Sequence, residues 1–253
     1  MITRFPASDY SDDALMGGRI RLLQPIKGER AAIDPVILAA AVDAKDGDMA
    51  LEMGCGTGAA ALCLAWRVPG LRVMALERQT DLAALAQENV RRNALDDRVQ
   101  VIGADIRHNP FPSRQFDHVL ANPPFFKAAA HSASPDAARQ KAHREAEDTS
   151  CADWIGAAAR ALKPRGQLVL IHHPERMADI LSALTAQHFG SIRLFPLWPR
   201  IDQAAVRILV TACWQGRAPL RVLPGLTLHD GVGPTYSPAV QAVLRDGQGL
   251  LVV

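Results

Sequence analysis

The chain has 253 residues, 49% of them hydrophobic and 21% charged, with 18 Gly and 17 Pro. That balance excludes disorder and collagen-like repeats, and the length suits one α/β domain with extensions. Net charge is +2, from 28 Lys+Arg against 26 Asp+Glu, which excludes a histone-like footprint but leaves room for a local basic face. The apolar runs Val36 to Val42 and Ala59 to Trp66 fall far short of the ~18 residues of a membrane span. The first thirty residues carry Asp9, Asp12, Asp13, Gly17 and Gly18 rather than an apolar signal core, so a cytoplasmic protein is expected. Cys55, Cys63, Cys151 and Cys213 have neither metal-site spacing nor a disulfide framework.

The first 47 residues contain a helix, Val36 to Val42, opened by Asp34 and Pro35 in cap and first-turn positions. From about residue 48 strands and helices alternate, the pattern of a parallel sheet covered by helices. Ala50 to Met53 is a strand that runs into Gly54-Cys55-Gly56-Thr57-Gly58, and Ala59 to Arg67 is a helix stopped by Pro69-Gly70. Leu71 to Leu76 is the next strand, ending at Glu77; Thr80-Asp81 caps a helix from Leu82 to Asn93. Val99 to Ile102 ends near Asp105, and Phe116 to Ala121 ends at Asn122-Pro123-Pro124-Phe125-Phe126. Residues 127–150 form a polar, Ala-rich connection, of a length that is usually functional or mobile. Ala152 to Leu162 is helical and stops at Pro164-Arg165-Gly166, Gln167 to Ile171 is a strand, and Pro174 to His188 a helix. Ile192 to Phe195 and Val206 to Ala212, with no helix between them, are expected to form an antiparallel pair at one edge. Beyond residue 213 the chain reads as loop around Pro219 to Gly233, with a short strand at Arg221-Val222-Leu223.

The glycine loop is the first informative site. Glycines at alternate positions after a strand permit a tight turn and close approach of a ligand to the backbone, above a helix N-terminus. Gly54, Gly56 and Ala59 also fit a relaxed dinucleotide fingerprint, with Glu77 as its ribose acid. Glu52 favours a different ligand. Two residues before the first glycine, a carboxylate would repel a pyrophosphate but suits a ligand with a cationic end, such as S-adenosylmethionine. Glu77 can accept both ribose hydroxyls, and Asp105 the adenine amino group. A single acid at a strand end is most often solvated or a helix cap; three on successive strands point to one ligand edge.

Asn122-Pro123-Pro124-Phe125 is the most specific signal. Two prolines fix φ and remove two N–H groups, so the turn presents acceptors: the Asn122 side-chain oxygen and the Pro123 carbonyl. Those two can receive both hydrogens of a planar –NH2 group while Phe125 offers a face for a flat base. Conjugated amines are poor nucleophiles, and holding both N–H bonds favours a geometry in which the lone pair is localised and aimed at a methyl group. A proline pair alone is commonly a rigid surface turn.

Glu52-x-Gly54-x-Gly56-x-Gly58 with Asn122-Pro123-Pro124-Phe125 resembles the class I S-adenosylmethionine-dependent methyltransferases that modify exocyclic or amide nitrogens, over residues 47 to 213. The segment Gln24 to Asp34, leading into Val36 to Ala40, is similar to that preceding the domain in the bacterial tRNA(Val) adenine N6-methyltransferase family, which modifies the adenine following the anticodon. The resemblance implies a Rossmann-like fold, a mostly parallel seven-stranded sheet with an antiparallel edge strand and helices on both faces. It implies an N-terminal extension over 1–47 that closes the cofactor site, a methyltransferase domain over 48–213 and a C-terminal extension over 214–253. Gly28, Arg30 and Asp34 are expected to help close the site; Asp34 reads equally as a helix cap. Relatives often have an aromatic residue where this chain has Glu29.

The expected cofactor residues are Asp34, Glu52, Gly54, Cys55, Gly56, Gly58, Glu77, Asp105, Ile106 and Asn122, with S-adenosyl-L-methionine as cofactor. Catalysis falls to Asn122, Pro123, Pro124 and Phe125, and substrate contacts to Phe125, Phe126, Arg144 and Arg200. RNA, tRNA above all, is the expected partner; no metal is expected, and oligomeric state is open. The same turn serves a guanine or DNA adenine amino group or a protein glutamine amide. Other classes are a nicotinamide oxidoreductase, for which no Tyr-x-x-x-Lys pair is seen, and a silent RNA-binding protein. His172-His173 lacks a third metal ligand, Trp198 is expected to pack on the late strands, and Cys55 is given no redox role. The arginines Arg193, Arg200, Arg207, Arg217 and Arg221, set against one acid, Asp202, read equally as a polyanion face or a solvated sheet edge.

Overall fold

The computed structural model describes residues 5, 8–28, 30–108, 110–124, 149–231, 233–250 and 252. Strands β3 (Met49–Met53), β4 (Arg72–Glu77), β5 (Val99–Gly103), β6 (Phe116–Ala121), β7 (Leu162–His172), β8 (Phe189–Trp198) and β9 (Arg207–Trp214) form one sheet. Its order is β8-β9-β7-β6-β3-β4-β5, and among the described residues two two-residue strands, β10 (Arg221–Val222) and β11 (Leu226–Thr227), add to β8. β9 runs antiparallel to both its neighbours. The late strands therefore make the expected antiparallel pair, with β9 inserted between β7 and β8 rather than outermost.

Helices α1 (Asp34–Ala40), α2 (Ala59–Arg67), α3 (Thr80–Arg92) and α6 (Pro238–Asp246) cover one face, and α4 (Cys151–Ala161) and α5 (Met177–Ala186) the other. The alternation of strand side chains sets this up. In β3, Leu51 and Met53 face the α4 side, while Ala50 belongs to the core under α1 and α2.

Several boundaries differ from the sequence reading for local reasons. Helix α1 begins at Asp34 itself, with Ile33 at the cap position, and α3 begins at Thr80 after Gln79; neither cap residue makes a side-chain hydrogen bond. Pro164-Arg165-Gly166 does not end an element: β7 passes through it, with a register irregularity against β6 and Arg165 at φ +69. Pro174–Arg176 is a 3-10 turn, and the following helix starts at Met177.

A hairpin that the sequence reading did not anticipate, β1 (Tyr10–Leu15) with β2 (Ile20–Pro25), packs on α3. Its attachment is made by side-chain amides. Asn89 Oδ1 accepts from the Leu23 N–H at 2.8 Å and Asn89 Nδ2 donates to the Leu23 carbonyl at 3.0 Å. Asn93 repeats this with Arg21, at 2.8 and 2.7 Å. The spacing explains the match: two strand residues advance ~6.6 Å and four helical residues ~6 Å. The outward edge of β2 is thus paired by a helix that imitates a strand. Asn89, fully buried, also donates to the Thr57 carbonyl of the glycine loop at 3.0 Å. Asn89→Ala would leave three backbone groups without partners and is expected to cost about 2–3 kcal/mol, after partial rehydration, in urea unfolding.

Candidate active site

β3 pairs with β4 on one side and β6 on the other, so the sheet changes winding direction between β3 and β6. In open α/β sheets that point, beyond the carboxyl ends of the strands, is where ligands bind. The glycine loop leaves β3 there and Asn122-Pro123-Pro124 leaves β6 there. Met53 is in register with Ala121, so Gly54 and Asn122 start from adjacent strands, ~4.8 Å apart in the pairing direction.

The loop is shaped from below. Gly54, Gly56 and Gly58 have φ of +66, +55 and +85. At Gly54 the tight neighbour is protein: a Cβ would lie 2.7 Å from Trp154 Cη2. Trp154, which the sequence reading did not single out, sits in the first turn of α4, behind a reciprocal cap between Ser150 and Asp153. At Gly56 a Cβ would meet nothing within 4 Å, so the peptide there borders open space. Cys55 is buried, and its thiol is pushed well up by burial, then by Glu52 and Glu77; it remains protonated at neutral pH.

Glu52 is 4% exposed and accepts from the Ala61 N–H, in the first turn of α2, at 2.7 Å. Burial pushes its carboxyl up to about 8, opposed by the Ala61 bond and aided by Glu77. Glu77, also buried, accepts from the N–H groups of Gly56 and Gln79, each at 2.8 Å, and burial raises its carboxyl too. Asp105 behaves oppositely: its hydrogen bonds to the Arg107 side chain hold it at about 2, with Arg78 at 3.7 Å adding to the effect. Ile106 is buried and opens the 3-10 turn Ile106–His108. Three acids thus reach one edge, two of them buried beneath the glycine loop.

The folded-state value of Glu52 lies above its ordinary one, so its protonated form favours the fold. That contribution is complete below about pH 4.5 and is lost as pH rises through about 8. The melting temperature is expected to fall across this window, and less steeply in Glu52→Gln, which still accepts from Ala61.

Asn122 Oδ1 is buried and has no hydrogen-bond partner among the described residues. Unpartnered buried acceptors are uncommon and cost about 1–3 kcal/mol. Pro123 beside it is buried and Pro124 half-buried. Phe125, Phe126 and Arg144 lie outside the described residues. Asp34 accepts from Arg207 Nε at 2.8 Å, which ties the start of α1 to the start of β9. Arg30 folds back on the hairpin, donating to Asp13 at 2.5 Å and Ser11 at 2.8 Å, and Gly28 sits in the intervening loop at φ +106. Arg200 donates to the carbonyls of Gly231 and Gly233. Trp198 donates from its indole N–H to the Pro224 carbonyl at 3.0 Å. His172, buried at the end of β7, is pushed down to about 4 by burial and is neutral at pH 7. Among the described residues no group of three His, Cys, Asp or Glu could hold a metal ion, and no helix is long and apolar enough to cross a membrane.

Strand order, glycine loop and acceptor turn together define the class I methyltransferase architecture. The chain belongs to the methyltransferase small domain family, S-adenosylmethionine-dependent methyltransferases, whose family model matches residues 32–195. It is 34% identical over 148 residues to the tRNA1(Val) (adenine(37)-N6)-methyltransferase of Porphyromonas gingivalis, covering 57% of each chain. To the enzyme of that name from Actinobacillus pleuropneumoniae it is 29% identical over 181 residues, 70% of this chain and 74% of that one. Among solved structures, a predicted O-methyltransferase from Agrobacterium tumefaciens superposes with a TM-score of 0.72 at 27% identity, over 85% of this chain and 97% of that one.

Proposed function

We propose that the protein methylates the exocyclic N6 amino group of an adenine in the anticodon loop of a tRNA, in the cytoplasm. The observation that carries this reading is the buried, unpartnered Asn122 Oδ1 at the switch point, next to the glycine loop. A planar amino group offers two hydrogens, and the Asn122 oxygen and Pro123 carbonyl are two acceptors; a hydroxyl would use one and would need a base. The names of the tRNA-modifying relatives support the choice of substrate.

S-adenosylmethionine supplies a methyl group on a sulfonium. Gly54, Gly56 and Gly58 with Cys55 would form the floor under it. Glu77 and Asp105 would offer acceptors to its ribose and adenine, beside Ile106, and Glu52, whose carboxyl burial raises to about 8, would give up its proton when a cationic ligand binds. Asp34, through Arg207, would hold α1 over the site. These residues fit: the backbone at Gly56 borders open space, and Glu52 and Glu77 are buried acids whose raised carboxyls a cationic ligand would ionise. Asn122 and Pro123 hold the amino group with its lone pair localised, and the extra proton on the methylated nitrogen leaves to water. Phe125 and Phe126 are proposed to bracket the base, with Arg144 and Arg200 on the RNA. A loop base is already unpaired, so flipping it costs little. The test is incubation with labelled cofactor and unmodified tRNA, followed by mass spectrometry of nucleosides. N6-methyladenosine supports the proposal; label in protein, or on another base, overturns it.

A further inference from the structure

Strands β8 and β9 overrun the edge at which the site lies. Ala121, the last residue of β6, is in register with Leu170 of β7, which pairs with Val210 of β9, which pairs with Leu194 of β8. From that row β8 runs on to Trp198, and β9 comes back from Arg207. At ~3.3 Å per residue the pair stands ~10 Å above the level at which Asn122 leaves β6. Its connection, residues 199–206, therefore forms a wall beside the acceptor turn, two strand spacings or ~10 Å away.

The wall is held on both sides. On one, Leu226 and Thr227 of β11 pair with Leu197 and Trp198. The chain then continues alongside: the Leu228 N–H donates to the Trp198 carbonyl at 2.7 Å and the His229 N–H to that of Pro199 at 3.1 Å. Arg200 reaches back to the carbonyls of Gly231 and Gly233. On the other side, Arg207 donates to Asp34 at the start of α1. A connection braced in this way is preorganised, so contacts made by it cost little further ordering.

The tip of the wall is apolar. Ile201 is 84% exposed, more than any other large apolar side chain among the described residues, and Val206 is exposed as well. Single exposed apolar residues are ordinary on a protein surface. These two differ by their place, on a braced wall over the edge where ligands bind. Asp202 and Asp230, both exposed beside the tip, are negative, so a phosphate is disfavoured there. An uncharged flat face suits it, and the unstacked bases of a single-stranded RNA loop offer one.

We infer that Ile201 and Val206 form a contact surface for the base of a nucleotide adjoining the target adenine, and that residues 226–231 hold that surface in place. The inference rests on RNA as the substrate in the reading above, and adds where a neighbouring nucleotide is received.

The test is binding of the full chain to a synthetic anticodon stem-loop, followed by fluorescence anisotropy without methyl donor. Ile201→Ser is expected to keep the melting temperature of the parent and to raise the RNA dissociation constant by about fivefold or more. The dependence of affinity on salt stays that of the parent, since no phosphate contact is lost. An abasic site on one side of the target adenine is expected to weaken the parent by a similar factor and Ile201→Ser hardly at all. Unchanged RNA affinity in Ile201→Ser, additive losses with abasic sites on both sides, or a shallower salt dependence overturns the inference and leaves the proposed reaction standing. A dimer that Ile201→Ser dissociates, with RNA affinity unchanged, overturns it in favour of a second copy of the chain. No RNA binding by the parent overturns both readings.

Discussion

Asn122→Ala is expected to lower the methyl-transfer rate by on the order of 10²–10³-fold, the scale for removing one preorganised hydrogen-bonding group from a reacting centre. The size of the effect follows from what the oxygen lacks. Every buried polar group has to recover the hydrogen bonds it gave up with water, and Asn122 Oδ1 recovers none among the described residues. An acceptor held ready for an incoming N–H contributes most when the amine must give up conjugation. The loss should therefore appear in kcat more than in the cofactor dissociation constant. Asn122→Asp keeps an oxygen acceptor and should retain more activity than the alanine variant. Single-turnover transfer of labelled methyl to tRNA, with cofactor affinity measured separately, checks both. Equal rates in the alanine variant and the parent would sink the assignment of Asn122.

Gly54→Ala is expected to destabilise the protein by about 2–4 kcal/mol and to weaken cofactor binding with it. Two separable costs add. At φ +66 a Cβ is strained by about 1–2 kcal/mol against its own backbone. It would also stand 2.7 Å from Trp154 Cη2, inside van der Waals contact. Trp154→Leu opens that space, so the double variant should recover the steric part and keep the backbone part. A double-mutant cycle from urea unfolding measures the split. Additive losses in the cycle would show that the ring and the loop are not in conflict.

The alternating half of the fold was legible because each strand there is short, apolar and stopped by a punctuating loop. β4, β5 and β6 lie within a residue or so of their expected bounds, and the glycine loop and acceptor turn follow the strands expected to carry them. What was not legible depends on partners distant in the chain. Asn89 and Asn93 look like polar positions on a helix, and nothing local says that they pair with the backbone of residues 21 and 23. Trp154 meets Gly54 across about a hundred residues, so the glycine read as room for a ligand while a tryptophan occupies that space. Pro164-Arg165-Gly166 carries every mark of a stop, yet the strand absorbs it as an irregularity. Helix α6 was not read although its ends are marked locally, by Ser237 as cap, Pro238 in the first turn and Gly247 in the left-handed region after it. The acids were found by position, but their charge states depend on burial and on Arg107, which sequence spacing does not report.

Asn89 grips the hairpin with one part of its amide and the glycine loop with another, through Leu23 and Thr57. Docking of the amino-terminal segment and the shape of the loop then share one equilibrium. Reciprocity follows from thermodynamics: whatever the docked segment adds to the grip on a small molecule, the small molecule returns by securing the segment. Protection of the β2 amides against hydrogen exchange should accordingly rise when the cofactor is added.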